Sequence, residues 1–361
     1  MTTATAPLPP LRRRRFELGP LGRRRWQVFR AHRRGFVSLW IFLALYAVSL
    51  GAEFVANDRP ILLAHQGSLY VPVLFDYSEQ GLGGALPISV DFHDPYISAW
   101  LEQEGAWMLW PPIRFSYRTI DFDIDRPVPA PPSARHWLGT DDAARDVLAR
   151  LIYGFRLSVS FGLALTVLAS AIGIFIGALQ GYFGGLTDLL GQRLVEIWAG
   201  LPILFVLIIL GTLVEPNFTW LLATLVLFSW MTLVGVVRAE FLRARNLDFV
   251  RAARALGVSD FTIMRRHVLP NAMVAALTFL PFILNGAITT LTALDFLGFG
   301  LPPGSPSLGE MLAQAKANLH APWIGLSAFA TLALMLILLI FIGEAVRDAL
   351  DPRRTVVGAR G

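Results

Sequence analysis

The carboxylates and histidine of DFHD, residues 91–94, form the first group in the chain whose types and spacing could do chemistry. Two carboxylates beside a histidine can bind a metal ion, but so short a run cannot surround one ion without further ligands. We therefore interpret DFHD as a solvated turn. Asp141, Asp142 and Asp146 precede a predicted helix whose dipole favours negative charge, and we assign them a structural role instead of a catalytic one.

Sequence motifs for ATP hydrolysis and peptide hydrolysis are absent. Lys316 is the one lysine and lies in AQAKAN without a preceding glycine loop, which excludes a Walker A phosphate-binding site. Neither HExxH nor G-x-S-x-G occurs, and the absence of cysteine excludes disulfides and Cys-based metal sites. We expect no enzymatic activity, no metal and no cofactor bound by this chain.

The composition indicates a membrane protein. Of the 361 residues 55% are apolar and 16% charged, with a mean hydropathy of +0.55, whereas an ordinary soluble domain is about 25% charged. The net charge of +5 could suit nucleic acid, but the arginines that carry it lie beside apolar runs. Their position therefore points to a membrane surface.

Six segments are apolar enough to cross a bilayer, whose hydrocarbon core needs about 20 helical residues. A central charge would cost about 3 kcal/mol, and these segments contain none. The first run is longer than a signal-peptide core and lacks a small-residue cleavage site, so we expect an uncleaved anchor. The predicted fold is an all-α polytopic membrane protein with six transmembrane helices. The segments are 35–52, 157–179, 197–214, 218–237, 272–294 and 323–343.

The arginines predict the orientation of the spans. Ten precede the first span, seven lie in the connection 238–271, and the tail carries Arg347, Arg353 and Arg354. With six spans, these three basic segments fall on one side, and the positive-inside rule places both termini in the cytoplasm. The residues between the first two spans then lie outside. Their weak strand patterning and the PVPAPP run at 127–132 predict short irregular elements in place of a large domain.

Residues 251–270, RAARALGVSDFTIMRRHVLP, interrupt the apolar runs on the basic side. Phe249, Ala252, Ala253 and Leu256 fall at i, i+3, i+4 and i+7, which predicts one narrow stripe of a helix. An amphipathic helix on lipid headgroups is the alternative, but an alanine-rich stripe anchors poorly in lipid, so we favour a protein-docking element. We expect Gly257 to end the first helix, and Ser259 to cap a second that stops at Pro270.

This stretch resembles the EAA loop of ABC-importer permeases: Glu-Ala-Ala, three residues, Gly, nine residues, then Ile-x-Leu-Pro. Arg251 stands where the family has Glu, and His267 where it has Ile; the dipeptide, oligopeptide and nickel branch commonly tolerates both changes. The matching residues are Ala252, Ala253, Gly257, Leu269 and Pro270.

Three further stretches, at 107–121, 136–162 and 294–312, resemble the same branch, and the first is similar to permease subunits of peptide and microcin C importers. The resemblance covers about residues 23–352. It implies a type I importer permease that forms half of a pathway for oligopeptides or microcin C-like compounds across an inner membrane. The implied partners are a second permease, one or two ABC ATPase chains that bind ATP and magnesium, and a periplasmic peptide-binding protein.

The resemblance also implies a division of the chain and a role for residues 251–270 as the ATPase-coupling helix and its flank. A non-ABC secondary transporter is an alternative, but the predicted spans lack the charges that ion coupling requires. A membrane structural or assembly protein is another. The divisions are a basic N-terminus 1–34, span 35–55, periplasmic insertion 56–155, permease domain 156–347 with coupling loop 238–271, and tail 348–361.

Polar residues on the spans are candidates for the translocation pathway. Asn285 is the strongest, although a hydrogen bond between helices would also explain it. Glu196 enters the third span, and an ion pair with Arg193 is its alternative role. Pro202 and Pro281 predict kinks in spans three and five. The remaining candidates are Thr166, Ser170, Thr289, Thr290 and Thr292.

Overall fold

The structure, a computed structural model, describes residues 19–214 and 216–351. Three parts of the sequence interpretation lie outside the described residues. They are Arg12, Arg13, Arg14 and Arg15 of the basic N-terminus, Glu215 before the fourth predicted span, and Arg353 and Arg354 of the tail.

The described chain is mainly helical, with three short strands before its longest helix. The strands are β1 Leu62–His65, β2 Ser68–Tyr70 and β3 Trp107–Leu109. The helices are α1 Pro20–Ala31, α2 Arg33–Leu50, α3 Ala52–Val55, α4 Pro95–Gln103, α5 Val147–Phe183, α6 Gly185–Ala199, α7 Ile203–Gly211, α8 Phe218–Ser229, α9 Met231–Ala244, α10 Asp248–Ala255, α11 Asp260–Ile263, α12 Leu269–Phe296, α13 Leu308–Ala317 and α14 Pro322–Leu350.

Within residues 19–214 and 216–351, five helical segments are long and apolar enough to cross a membrane, or six if the bent pair α6 and α7 counts as one. The five overlap the first, second, fourth, fifth and sixth predicted spans. They are Arg33–Leu50, Val147–Phe183, Phe218–Ala244, Asp260–Phe296 and Pro322–Leu350.

The third predicted span, 197–214, is bent, as the kink predicted at Pro202 requires. α6 and α7 meet at an angle of 65°. Pro202 lies at the break, as expected for a residue that lacks an N–H and disfavours helical geometry in the residue before it. The helix that leads into this span begins at Gly185, well before the predicted start at 197. The prediction missed residues 185–196 because their charged side chains exclude them from an apolar segment.

The prediction that a helix stops at Pro270 is wrong. α11 continues through a π-helical turn, Met264–Val268, into α12, and the whole segment Asp260–Phe296 is apolar enough to span a membrane. Proline is tolerated in the first turn of a helix, and Pro270 lies there in α12, directly after the π-helical turn. Pro281 lies inside the same helix; a kink there stays a prediction.

The long helix α5 is central to the packing, and α9, α12 and α14 lie against it. Its first half contributes Val147, Leu151 and Val159 to a core shared with α12, α13 and α14. Its last turns contribute Ala178 and Tyr182 to a second core, which also contains residues of α9, α10 and α12. α5 therefore joins both ends of the helical bundle.

Glycines spaced four residues apart let α5 approach α9 closely. Gly173, Gly177 and Gly181 lie on one face of α5, and each faces a backbone carbonyl of α9 or of Trp230 just before it. A Cβ at Gly177 would lie 2.7 Å from the carbonyl oxygen of Val234. Such small-residue spacing is typical of tightly packed membrane helices.

We expect Gly177→Ala to lower the free energy of unfolding of the purified chain by about 1–3 kcal/mol, and with it the melting temperature. The added methyl overpacks the contact between α5 and α9. Gly235→Ala on α9 is the matched control, since a Cβ there meets no atom within 4 Å. Alanine favours helix over glycine by about 1 kcal/mol, so this control should be neutral or stabilising. Equal melting temperatures for the two variants would contradict the close approach.

The segment between α3 and α5 contains short elements, as predicted. β1 pairs antiparallel with β2 on one side and β3 on the other, with Leu63 opposite both Tyr70 and Met108. Leu63, Tyr70 and Met108 pack on one side of this sheet against a small core that includes Leu101 of α4. The sheet and α4 therefore form a small module with its own apolar interior.

Candidate coupling surface and translocation path

α10 and α11 form a compact turn between α9 and α12. α10 ends at Ala255, and Gly257 follows with φ +78°, a left-handed conformation that glycine adopts without strain. The N–H of Val258 donates to the carbonyl of Ala253 at 3.1 Å and so closes the helix end. The predicted bend at Gly257 is confirmed. Ser259 begins α11 as predicted, but its hydroxyl contacts Thr262 Oγ1 at 2.8 Å instead of capping a backbone N–H.

The inner side of this turn is part of a buried core. Val250 of α10, Ile263 of α11 and Val268 of the π-helical turn are fully buried. They pack in one cluster with Phe241 of α9 and Tyr182 of α5. This core therefore joins the α10 turn to the three long helices α5, α9 and α12.

The outer side of the turn exposes large apolar side chains. Phe249 is 44% exposed, Leu256 83% and Phe261 70%, and Ala252 is exposed between them. Ala253 instead packs against the buried core, so the structure differs from the predicted stripe at this residue. Spacings of three and then four residues place Phe249, Ala252 and Leu256, which directly follows α10, on the outer side. α11 adds Phe261, a contribution the sequence interpretation missed. We call these four residues the α10 face.

A polar contact that sequence reasoning missed joins the turn to the end of α5. Arg254 donates from Nη2 to the hydroxyl of Tyr182 at 3.0 Å, and its guanidinium lies 5.4 Å from the centre of that ring. Tyr182 in turn donates to Asp260 Oδ1. Of the other residues predicted for the coupling loop, Arg251 and Pro270 are exposed and Leu269 is half-buried.

One of the pathway candidates on α12 forms a hydrogen bond to another helix. Asn285 donates from Nδ2 to the carbonyl of Leu336 on α14 at 3.0 Å, which is the alternative role considered for it. Thr289 is exposed and donates to the carbonyl of Asn285 at 2.9 Å. Thr292 is buried and donates to Ile288, and Thr290 is exposed. Asn285 thus joins α12 to α14, and a pathway role for these residues stays a prediction.

The remaining pathway candidates lie in different surroundings. Thr166 and Ser170, one turn apart on α5, are buried, and within the described residues their hydroxyls have no hydrogen-bond partner. Glu196 is exposed on α6 and pairs with Arg193, as the alternative held. Unpaired buried hydroxyls are uncommon in folded proteins, so Thr166 and Ser170 are the candidates that the helix packing leaves unexplained.

The family described as binding-protein-dependent transport system inner membrane component matches residues 148–356, more than half of the chain. The chain belongs to this family. The match runs from the first turn of α5 through α14 and includes α10. The protein is therefore an ABC permease component, crosses an inner membrane several times, and is not an enzyme.

Several known proteins are similar to this permease. The inner membrane ABC transporter permease protein YejE of Escherichia coli is 59% identical over 94% of this chain and 99% of its own. The peptidoglycan transport system permease protein YejE of Agrobacterium fabrum is 55% identical over 93% and 94%. The oligopeptide transport system permease protein OppC of Lactococcus lactis is 34% identical over 65% and 81%. A structure of the MetNI methionine ABC transporter, inward facing, matches with a TM-score of 0.47 and 15% identity over 56% of this chain and 97% of that chain.

At the opposite end of α5, the permease contains a buried cluster of charges that sequence reasoning missed. The side chain of Arg150 is fully buried and donates to Asp141 Oδ2, and also to the carbonyl of Ser305 at 3.0 Å. Glu310 of α13 lies 3.2 Å from the same guanidinium. Arg145 donates to Asp141 at 2.8 Å. The cluster joins the start of α5 to α13 and to the loop before it.

The aspartates before α5 have structural contacts, as predicted. Asp146 accepts the backbone N–H of Ala149 at 2.7 Å and caps α5. Its other oxygen contacts His136 Nδ1 at 2.9 Å, and Asp121 contacts Nε2 of the same ring at 3.0 Å. In DFHD, Asp94 caps α4. Within the part of the chain that the structure describes, no group of three or more metal-ligating side chains could hold an ion.

The buried position of His136 makes the fold sensitive to pH. Burial alone would lower the pKa of His136, but the hydrogen bonds and charges of Asp146 and Asp121 outweigh it and raise the pKa above its usual value. A raised folded-state pKa means that the protonated ring contributes stability. That contribution is complete below about pH 6.5 and is lost as the pH rises through the folded-state pKa.

We expect the melting temperature of the purified permease to fall as the pH is raised above about 6.5, and His136→Gln to flatten this dependence. His320→Gln, at an exposed histidine, should keep the wild-type slope. The measurement is thermal unfolding in detergent at a series of pH values. The same slope for His136→Gln and the wild type would contradict the role of His136.

Proposed function

We propose that this permease forms half of the translocation pathway of an ATP-driven importer for oligopeptides or peptide-like compounds, the microcin C type included. The names of two relatives support the substrate class, since they describe peptidoglycan and oligopeptide transport, and the name of a third describes an ABC transporter permease. The single observation that carries ATP coupling is the exposed α10 face on a core made by α5, α9 and α12.

The coupling proposal assigns each side of the α10 turn a task. The α10 face inserts into a groove of an ABC ATPase subunit, where ATP binding and hydrolysis move it. The buried side and the contact of Arg254 with Tyr182 transmit this motion to the three long helices. The helices then change between outward-facing and inward-facing arrangements, and the ATPase biases that equilibrium through its different affinity for the two.

The proposed topology counts α6 and α7 as one bent span, which gives six spans with both termini in the cytoplasm. The distribution of arginines supports this orientation, because the basic segments then lie on one side. Residues 56–155 are then a periplasmic insertion in front of the permease domain 156–347. The α10 turn, within the coupling loop 238–271, is cytoplasmic, where an ATPase subunit can reach it.

A second permease subunit is proposed to complete the pathway and to pair with the surface of α6 and α7. α6 has no buried residue, and large apolar side chains project from both helices. Leu186, Ile197 and Phe205 are 69%, 72% and 64% exposed. A periplasmic peptide-binding protein delivers the substrate. Asn285, Thr289 and Glu196 remain the proposed pathway contacts of this subunit.

Reconstitution tests the proposal directly. The permease, its proposed second permease and its ATPase are placed in lipid vesicles, and the binding protein is loaded with a labelled oligopeptide. Accumulation of the peptide should require ATP and should stop when a non-hydrolysable analogue replaces it. Uptake driven by an ion gradient without ATP would indicate a secondary transporter instead and would overturn the proposal.

A further inference from the structure

A groove of about 430 Å³ lies beside the α10 turn, and neither the family nor the coupling proposal assigns it a ligand. α1 forms one wall. The end of α9, the start of α12 and the end of α14 form the others, and Leu247 and Phe249 lie where the groove meets α10. The groove is thus built from elements that are distant in sequence and meet at one end of the bundle.

The charge of this groove is positive. Arg24 and Arg25 of α1 and Arg243 of α9 line it, together with the single carboxylate Glu240. Glu240 accepts a hydrogen bond from Arg243 at 2.6 Å. Arg24 and Arg25 form no ion pair within residues 19–214 and 216–351, and Arg25 is half-buried. The two α1 arginines therefore face the groove without a compensating anion from the described protein.

Apart from Asn271, the rest of the groove is apolar. Leu21, Ala272, Val274 and Leu350 contribute hydrocarbon to its walls, and Leu21 is 71% exposed. A free inorganic anion would gain no favourable binding free energy from contact with these apolar side chains. A ligand that fills the whole groove must combine an anionic group with hydrocarbon.

α1 holds its arginines in a defined place. Phe29 is buried and packs with Ala345 and Ala349 of α14, so α1 is fixed to the end of the last apolar helix. Trp26 stacks on Phe29 with 5.7 Å between ring centres and is still 46% exposed. A half-exposed tryptophan on a basic amphipathic helix is typical of the boundary between membrane and water.

The depth of the groove follows from the ends of the apolar helices. α9 ends at Ala244, α12 begins at Leu269, and α14 ends at Leu350; the first and the last of these residues line the groove. The apolar segments within α9 and α14 end at 237 and 343 and that of α12 begins at 272, while the helices themselves continue toward the groove. Ala272 and Val274 of the groove therefore lie at the boundary of the hydrocarbon, and its arginines lie beyond that boundary, at headgroup level.

We propose that this groove binds an anionic phospholipid, with the phosphate between Arg24 and Arg25 and an acyl chain along Leu350 and Val274. Basic pockets between membrane helices are suited to such headgroups. The bound lipid would lie against Leu247 and Phe249, and so would touch the segment that leads into α10. The inference is independent of which substrate the permease carries.

Native mass spectrometry of the full chain in complex with its partner subunits tests the site. The complex is titrated with phosphatidylglycerol or with phosphatidylcholine of the same acyl chains. Arg24→Gln combined with Arg25→Gln should weaken retention of phosphatidylglycerol about thirtyfold, because each arginine near anionic headgroups contributes about fivefold to affinity. Phosphatidylcholine should bind weakly to both forms.

Arg33→Gln combined with Arg34→Gln is the matched control. It removes the same charge from the exposed first turn of α2, outside the groove, and should leave phosphatidylglycerol retention within about twofold of the wild type. Equal loss in both double variants would overturn the site in favour of general surface attraction. Loss of the ATPase subunit from the Arg24 and Arg25 variant, with lipid retention unchanged, would overturn it in favour of a protein occupant.

Discussion

Leu256→Asp is expected to abolish ATP-dependent uptake while the permease remains folded and inserted in the membrane. Leu256 is 83% exposed, so the substitution costs the isolated permease little. In the assembled importer the same carboxylate would be buried against the proposed ATPase groove without a partner. Hot-spot residues of this kind contribute about 2 kcal/mol or more to binding. The substitution is therefore expected to weaken binding of the ATPase subunit by at least about thirtyfold.

Leu319→Asp is the matched control for this experiment. Leu319 is also 83% exposed, but it lies between α13 and α14, at the other end of the bundle from α10. Uptake of labelled peptide and peptide-stimulated ATP hydrolysis should both stay near the wild-type values. Normal uptake in Leu256→Asp, or equal loss in both variants, would rule out docking through the α10 face.

The structure also changes which α10 variants are informative. Ala253 was predicted to share the exposed stripe, but it packs against the buried core. An Ala253→Asp variant would therefore lose uptake through misfolding as readily as through lost docking. Gly257→Val acts on the backbone, because φ +78° costs a β-branched residue about 1–2 kcal/mol. Of these positions, Leu256 best separates docking from folding.

The features that could be predicted from the sequence are local. Apolar runs long enough for a bilayer, the break at Pro202 and the bend at Gly257 each depend on a few neighbouring residues, and the structure contains all of them. Asn285 was predicted as a pathway residue, with a hydrogen bond between helices as its alternative role, and the structure contains that hydrogen bond. An amide among apolar residues needs such a partner. The passage of the helix through Pro270 was missed, because nothing in the residue types of MRRHV distinguishes a π-helical turn from an α-helical one.

The features that were missed depend on residues far apart in the chain. No sequence pattern around Arg150 and Asp141 predicts their contact with Glu310, which lies more than 150 residues later in the chain. Tyr182 likewise meets Arg254 only because α5 and α9 pack side by side. A charge near the end of an apolar run predicts an interface position, and only the packing of the helices decides its partner.

The buried cluster at the start of α5 gives the second large effect. Asp141→Ala is expected to destabilise the permease by about 3–5 kcal/mol, because it leaves the guanidinium of the fully buried Arg150 with Glu310 as its one remaining carboxylate. It also removes the acceptor for the backbone N–H groups of Ala143 and Arg145, both at 2.9 Å. Thermal unfolding in detergent measures the loss.

The neighbouring residue supplies the control, since Asp142 is 42% exposed and lies 4.0 Å from Arg145. Asp142→Ala should change stability by less than about 0.5 kcal/mol, as surface substitutions usually do. Adding Arg150→Leu to Asp141→Ala should restore part of the loss, because a buried ion pair replaced by apolar groups is often nearly neutral. If the double variant is no more stable than Asp141→Ala alone, the unpaired charge is not the source of the destabilisation. If it recovers, the cluster serves to join α5 to α13, and the charge of Arg150 is tolerated there only because Asp141 neutralises it.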